Sequence, residues 1–254
     1  MNRILFEKSE ISQDGIATFG GERAEHILKV LHGEVGQKLK TGEIGGLIGS
    51  GEIIEISKAF SDTPLQIKVK VSHENESLKP WIDLVLASPR PRVLKRLLPQ
   101  LSALGVGRIV LVGAKKVEKD FWGATLLKEE IYRPLVVDGL MQSGTSIPTE
   151  MISRRQFRKF LAEELDDMFP NSLRIVAHPY EEKESSKEAG ALKCSSSKST
   201  AERVLLAVGP EGGWTDDEVQ LLEEKGFSRY SLGARILRTD TATVALIAQL
   251  MDRR

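Results

Sequence analysis

The stretch whose reading decides the fold runs from Leu205 to Leu250: LLAVGPEGGWTDDEVQLLEEKGFSRYSLGARILRTDTATVALIAQL. Val204 to Val208 is a short apolar run closed by Gly209 and Pro210, the pattern of a parallel strand buried on both faces. Gly212 and Gly213 allow left-handed backbone angles or close approach to a ligand. Thr215 and Glu218 form a T-x-x-E capping box, which predicts a helix starting near Asp216. Gly226 suits the left-handed end of that helix, with Phe227 packing back on it. A short strand and a second turn, Ser231-Leu232-Gly233, come next, and Arg235, Arg238 and Asp240 crowd polar groups around apolar Ile236 and Leu237. The helix after Asp240 is apolar on nearly every side (Ala242, Val244, Ala245, Leu246, Ile247, Leu250), which predicts burial all round.

A strand, a glycine turn and a helix are common in α/β proteins, so G-P-E-G-G by itself is a weak signal. It is neither a P-loop, since no Gly-Lys-Ser/Thr follows, nor a G-x-G-x-x-G fingerprint. Two such turns beside an apolar closing helix point instead to a ligand site at strand carboxyl ends.

Working outward, Trp81 to Ala87 and Arg108 to Val112 read as parallel strands. Between them lie a stiff Pro89-Arg90-Pro91 turn and a helix whose face is Val93, Leu94, Leu97, Leu98 and Leu101, ending at Gly105. Pro99 inside that helix predicts a kink or a break, at about 3 kcal/mol if uncompensated. Helices are expected from about Leu126 to Met141 and from Phe157 to Met168, and a strand from Leu173 to Ala177, ended by His178-Pro179. This alternation predicts an α/β domain over residues 80–254. Residues 1–73 read as a small β-rich unit with strands at Arg3–Phe6, Gly15–Phe19, Gly51–Ile56 and Leu65–Val71. One helix, Glu22 to Leu31, interrupts them, and the glycine-dense GEIGGLIGSGEI suggests a tight hairpin or bulge. Residues 74–79 read as a linker, and the Glu-, Ser- and Lys-rich stretch 181–202 as a mobile surface insertion without chemistry.

A formal net charge of zero over 254 residues gives no overall attraction to nucleic acid. Distribution matters more: from Ser88 to Lys116 the chain carries Arg90, Arg92, Lys95, Arg96, Arg108, Lys115 and Lys116 and no acidic residue. Such a stripe fits phosphate docking, or else a solvated helix face. KKVEKDFW, from Lys115 to Trp122, could stack bases, or its aromatics could pack on the core. A single cysteine, Cys194, excludes a disulfide framework and a multi-cysteine zinc site, so no metal is expected. No apolar run is long enough to span a bilayer and MNRILFEKSE has no signal stretch, so a cytoplasmic protein is expected.

GPEGGWTDDEV followed by SLGARILRTDTA resembles the knotted (SPOUT) RNA methyltransferases, and within them the family that methylates N3 of a uridine in small-subunit ribosomal RNA. The resemblance covers nearly the whole chain and is strongest from Leu205 onward. It implies a PUA-like β-barrel before a knotted SPOUT domain, S-adenosylmethionine held in the knot loops, ribosomal RNA or the small subunit as partner, and a homodimer. It implies cofactor contacts from Ala177, His178, Val208, Gly209, Pro210, Gly212, Gly213, Leu232, Gly233, Ile236 and Leu237, the glycines standing where side chains would collide with the ligand. RNA contacts would come from Arg3 and His26 in the first unit, His26 reading otherwise as a structural histidine, and from Arg90, Arg92, Lys95 and Arg96 in the second. The chain departs from the family at His32, Pro99 and Asp240, where arginine, a residue other than proline, and glutamate are usual.

Methyl transfer to uridine N3 needs alignment and stabilisation of negative charge on the ring carbonyls. Arg238 is the candidate for that charge, with Arg235 second. Asp240 is read either as orienting Arg238 or accepting the proton, or simply as a helix N-cap. Glu211 and His178 are weaker candidates for a base. Other readings are a knotted methyltransferase acting on another base, an RNA-binding ribosome assembly factor without catalysis, and a nucleotide-binding protein using Gly209 to Gly213 for phosphate.

Overall fold

The computed structural model describes residues 2–57, 65–179 and 203–251. They form two compact units, one of Met1–Lys79 with Val136–Pro148, the other of Pro80–Leu135 with Thr149–Arg254. The stretch 181–202, expected as a surface insertion, lies outside the described residues.

The first unit is a mixed five-stranded sheet with one helix. Its elements are β1 (Ile4–Phe6), β2 (Ile16–Gly20), α1 (Gly21–Lys29), β3 (Lys38–Glu43), β4 (Ile48–Ser57) and β5 (Gln66–Asn75), with strand order β1-β3-β4-β5-β2. Ala24 and Ile27 of α1 close a core of Phe6, Phe19, Ile53, Ile67 and Val69. The sequence reading missed β3, because KLKTGE looks polar; yet Leu39 and Thr41 alternate inward between exposed lysines. The glycine-dense segment is the β3–β4 hairpin, and β4 slips register against β5 at Ile48/Gly49. A Cβ on Gly49 would lie 2.0 Å from the Ser72 carbonyl oxygen, so only glycine lets the two strands meet there.

Two residues expected to face RNA are committed to this unit. Arg3 Nε donates to the Gly144 carbonyl at 2.8 Å, and its Nη1 donates to the carbonyls of Thr41 and Gly49 at 2.7 and 3.0 Å. Arg3 is therefore a clamp on the sheet's backbone. His26 sits on α1 with Nε2 shielded from solvent and without a hydrogen-bond partner, so that nitrogen cannot reach a phosphate.

The second unit is a six-stranded, wholly parallel sheet between two layers of helices. In chain order it contains β6 (Ile82–Ala87), α2 (Pro91–Ala103), β7 (Val106–Val112), α3 (Glu129–Ser143, which runs on into the first unit), β8 (Glu150–Arg154), α4 (Phe157–Glu163), α5 (Leu165–Met168), β9 (Ser172–Ala177), β10 (Arg203–Val208), α6 (Asp216–Glu224), β11 (Ser228–Tyr230) and α7 (Thr239–Met251). Strand order is β11-β9-β10-β6-β7-β8. Continuous apolar strands make sense in this setting, because alternate residues face opposite helix layers. Leu84, Leu86, Leu206 and Val208 meet α2 and α7, while Val85, Ala87, Leu205 and Ala207 meet α4, α5 and α6.

Three expectations are corrected in this unit. Pro99 does not break α2, which runs through it. The acceptor that proline leaves without a donor is the carbonyl of Lys95, four residues earlier on the exposed side of the helix, where water can serve it. The Phe157–Met168 helix is interrupted at Glu164, and EMISR, short and half exposed, is an edge strand missed in the sequence. Burial of α7 is one-sided: Leu246, Ile247 and Leu250 are buried, whereas Thr241, Ala248 and Gln249 are exposed.

At the amino end of the central strands, buried Asp83 accepts from Arg203 Nη2 at 2.6 Å and from the Arg108 amide at 2.8 Å. Burial pushes the Asp83 carboxyl up, and Arg203 pulls it back. Gly107 leaves the path open, since a Cβ there would overlap the Arg203 guanidinium. Asp83→Ala strands that guanidinium and is expected to cost about 3 kcal/mol, the bottom of the buried-pair range because Arg203 still reaches water. Urea unfolding of the variant against the parent measures it.

Candidate active site

A cavity of about 410 Å³ opens at the carboxyl ends of β9, β10 and β11. Chain order explains its place: β6, β7 and β8 run outward in one direction, then β9 and β10 fill the other side of β6, and open α/β sheets bind ligands beside such a reversal. Two turns form the walls. The first, residues 209–215, carries Gly213 at φ +69°, and the second, residues 231–238, carries Gly233 at φ +102°. Both angles favour glycine. Thr239, Ala242 and Leu246 of α7 supply one wall.

All eleven residues assigned to the cofactor by resemblance line this one cavity: Ala177, His178, Val208, Gly209, Pro210, Gly212, Gly213, Leu232, Gly233, Ile236 and Leu237. Tyr230 and Trp214 line it as well, and the sequence reading missed both. An aromatic directly after Gly-Gly was the available signal for Trp214, which is buried and stacks on Phe157 at 5.2 Å. Trp214 also revises the reason for Gly209. A Cβ there would meet the Trp214 amide nitrogen at 3.0 Å and its ring at 3.1 Å, so the tryptophan alone already requires a small residue at 209.

The first turn is fastened from three sides. Thr215 and Glu218 form the expected capping box of α6. The same buried carboxylate accepts from the Lys115 amide at 2.7 Å, which ties the turn to the end of β7. Lys116 Nζ donates to the Gly212 carbonyl at 2.7 Å. Beyond α6, Gly226 takes φ +80° and the Phe227 amide returns to the Leu222 carbonyl, the expected left-handed stop. The second turn holds itself through Ser231 Oγ, which accepts from the Gly233 amide at 3.2 Å. Main-chain N–H groups of Leu232, Ile236 and Leu237 have no partner among the described residues and remain donors for a ligand.

Charged candidates divide by position. Arg235 lines the cavity, whereas Arg238 and Asp240 lie outside its lining. Asp240 is one residue inside α7, so it is not the N-cap; it accepts from Arg96 Nη2 at 2.6 Å and lies 3.9 Å from Arg238 Nε. Of the basic stripe, Arg90 pairs with Glu118 at 3.4 Å and Arg96 is held by Asp240, while Arg92 and Lys95 are exposed. Trp122 packs against the core, and the Arg155 guanidinium lies 5.7 Å from its ring centre. Burial first, with Arg229 and Lys116 adding to it, holds the His178 imidazole below its ordinary value, against the pull of Asp216 and Glu223. Among the described residues no group of His, Cys, Asp and Glu could hold a metal, and no helix is long and apolar enough to cross a membrane.

Residues 76–251 match the family described as RNA methyltransferase domain. The chain belongs to that family. It is 30% identical to the ribosomal RNA small subunit methyltransferase E of Treponema pallidum over 99% of this chain and 91% of the relative. It is 27% identical to ribosomal RNA small subunit methyltransferase E 1 of Borreliella burgdorferi over 96% and 95%. The crystal structure of a ribosomal RNA small subunit methyltransferase E from Neisseria gonorrhoeae, bound to S-adenosyl methionine, superposes with a TM-score of 0.70 over 99% of this chain and 97% of that one, at 21% identity. That likeness carries the fold, a PUA-like sheet unit ahead of a knotted SPOUT domain.

Two measurements test the site's construction. Gly209→Val is expected to displace Trp214 and to cost roughly 1–3 kcal/mol in chemical denaturation, since it overpacks a filled position. A glycine kept only for a ligand would leave stability intact. His178 protonates more easily in the unfolded chain, so its contribution is full above the ordinary value of 6.5 and is lost as pH falls through the lower folded value. From about pH 7.5 to about pH 5.5 the parent should therefore lose more stability than His178→Gln; the difference between the two cancels the opposite trend of Asp83.

Proposed function

We propose that this chain transfers a methyl group from S-adenosylmethionine to N3 of a uridine in small-subunit ribosomal RNA. The observation that supports it most is the cavity itself. Its walls are largely apolar, unpaired main-chain donors of Leu232, Ile236 and Leu237 stand beside few charged side chains, and it lies within the residues that match the family. These features suit a nucleoside with an uncharged ring and a small cationic centre, and they are a poor match for a triphosphate, which needs clustered cations or a glycine-lysine loop. The bound cofactor supplies an electrophilic methyl group.

Every other task falls to the chain. The main-chain N–H groups of Leu232, Ile236 and Leu237 hold the nucleoside, and Leu246 with Ala242 packs against it. The N3 proton passes to water, the N3–CH3 bond would form as the S–CH3 bond breaks, and we assign Arg238, largely exposed, to the negative charge that deprotonation leaves on the uracil carbonyl oxygens. Arg235 lies at the cavity itself and is assigned to the substrate edge of the site. Arg92 and Lys95 stand free on α2 for phosphate. The first unit, Met1–Lys79 with Val136–Pro148, serves as the RNA-docking module, and the second, Pro80–Leu135 with Thr149–Arg254, as the methyltransferase domain. A homodimer in the cytoplasm completes the reading. Exposed Ala248 and half-covered Val244 and Ala245 leave on α7 an apolar strip that a second copy would cover.

Arg238→Ala should lower turnover about 10²–10³-fold, the range for removing one group that stabilises developing charge, with S-adenosylmethionine affinity nearly unchanged. Tritiated methyl transfer to unmodified small subunits reads the first quantity and calorimetry the second. Equal loss of both rejects the assigned role. RNA binding by the parent without any methyl transfer would favour the assembly-factor reading.

A further inference from the structure

Helices α2 and α7 pack side by side on one face of the parallel sheet, with Leu94, Leu97, Leu101, Leu246, Ile247 and Leu250 in one buried cluster. At the amino end of α7 this apolar packing gives way to charge. Arg96 Nη2 on α2 donates to Asp240 Oδ2 at 2.6 Å. The other carboxylate oxygen, Oδ1, accepts from the Thr241 amide at 3.0 Å and lies 3.9 Å from Arg238 Nε. Asp240 is the covered member of this chain of charges, its side chain 21% exposed against 58% for Arg96 and 72% for Arg238.

We propose that Arg96 is a positioning residue: through Asp240 it fixes the Arg238 guanidinium beside the cavity mouth. This rests on the methyltransferase reading above and gives Arg96 a role other than phosphate contact. Three physical facts support it. Both oxygens of Asp240 are engaged, Oδ2 by Arg96 and Oδ1 by the Thr241 amide, so the carboxylate is held in one orientation. An exposed arginine at the end of a turn loses side-chain entropy when it must hold one orientation, and a fixed carboxylate nearby reduces the orientations to be lost. The carboxylate in turn is held from a second helix by a guanidinium whose planar fork keeps direction, which a flexible ammonium does less well. Arg235 lies at the cavity and has no such support among the described residues.

The test uses the full-length chain with Arg96→Met, Asp240→Asn, the double variant and Arg96→Lys. Arg96→Met is expected to lower kcat about tenfold, the scale of one hydrogen bond to a charged group, with KM for the small subunit and S-adenosylmethionine affinity unchanged. Asp240→Asn should match it, the double variant should be no worse than either single one, and lysine should recover only part of the rate. Nitrogen relaxation and hydrogen exchange at Arg238 Nε, read by NMR on the cofactor-free protein, should show a more mobile side chain in both single variants. Because Arg96 is exposed, the unfolding temperature should not move. The proposal is overturned if Arg96→Met raises KM with kcat intact, which makes Arg96 a phosphate contact. It is equally overturned if the two single effects add, or if Arg238 Nε is unchanged. Should the parent protein transfer no methyl group, the functional reading fails, and the NMR measurement still decides the coupling between Arg96 and Arg238.

Discussion

The pairing of Val204–Val208 with Ile82–Leu86 is the constraint on which the second unit depends. Both strands are buried on both faces, so neither face of the sheet is left to bind anything. Only the strand ends remain, and at the carboxyl end the main chain must turn back through short loops whose N–H groups have no partner within the sheet. A ligand site there is a consequence of the layering. Which ligand fits is then a matter of what the loops carry, and these carry glycine, apolar side chains and few charges.

Short loops hold a shape only if something fastens them. Glu218 does so with one buried carboxylate, which caps α6, accepts from the Thr215 amide and hydroxyl, and holds the Lys115 amide across from β7. Trp214 plugs the first turn into the apolar layer beneath it, and Lys116 closes over its outer side at Gly212. The second turn has no comparable anchor of its own. It is held at one end by Tyr230, whose hydroxyl donates to Gln249 at 2.5 Å, and at the other by the Arg96–Asp240 pair. The cavity thus has one stiff wall and one wall pinned at its ends, which suits a site that must admit a ligand between the two.

Much of this was legible in the residues, for physical reasons that differ from element to element. Buried strands such as Leu205–Val208 announce themselves because both faces need apolar side chains, and the α6 box is legible because Thr215 and Glu218 serve main-chain groups within one turn. Strand β3 was not legible because only one face of a polar run is buried, and β8 because it is an edge strand with no fully buried residue, Met151 and Ile152 each packing partly on opposite layers. The fate of Arg3 was hidden because its acceptors are carbonyls, which every residue possesses; sequence says nothing about which of them a guanidinium meets. Gly209 was read correctly as a place where a side chain collides, but the collision is with Trp214, five residues on. Asp240 was placed as a cap or a catalyst, and its partner on α2 lies 144 residues away, beyond any spacing rule.

Charge around the cavity has its own logic. The methyl donor proposed here is a sulfonium, which a protonated imidazole at the strand end would repel. His178 lines the cavity, and partial burial together with the Arg229 and Lys116 cations makes its ring harder to protonate. The first turn adds the Glu211 carboxylate on the same cavity, and the arginine proposed to stabilise the opposite charge, Arg238, stays outside the lining. A positive donor and a substrate that becomes negative favour this division: the Glu211 carboxylate on the cavity, Arg238 kept off its lining, and Arg235, the arginine that does line it, assigned to the substrate edge. The turn from Leu232 to Arg238 gives Leu232, Ile236 and Leu237 to the cavity lining, while its last residue, Arg238, stands next to that lining beside Asp240.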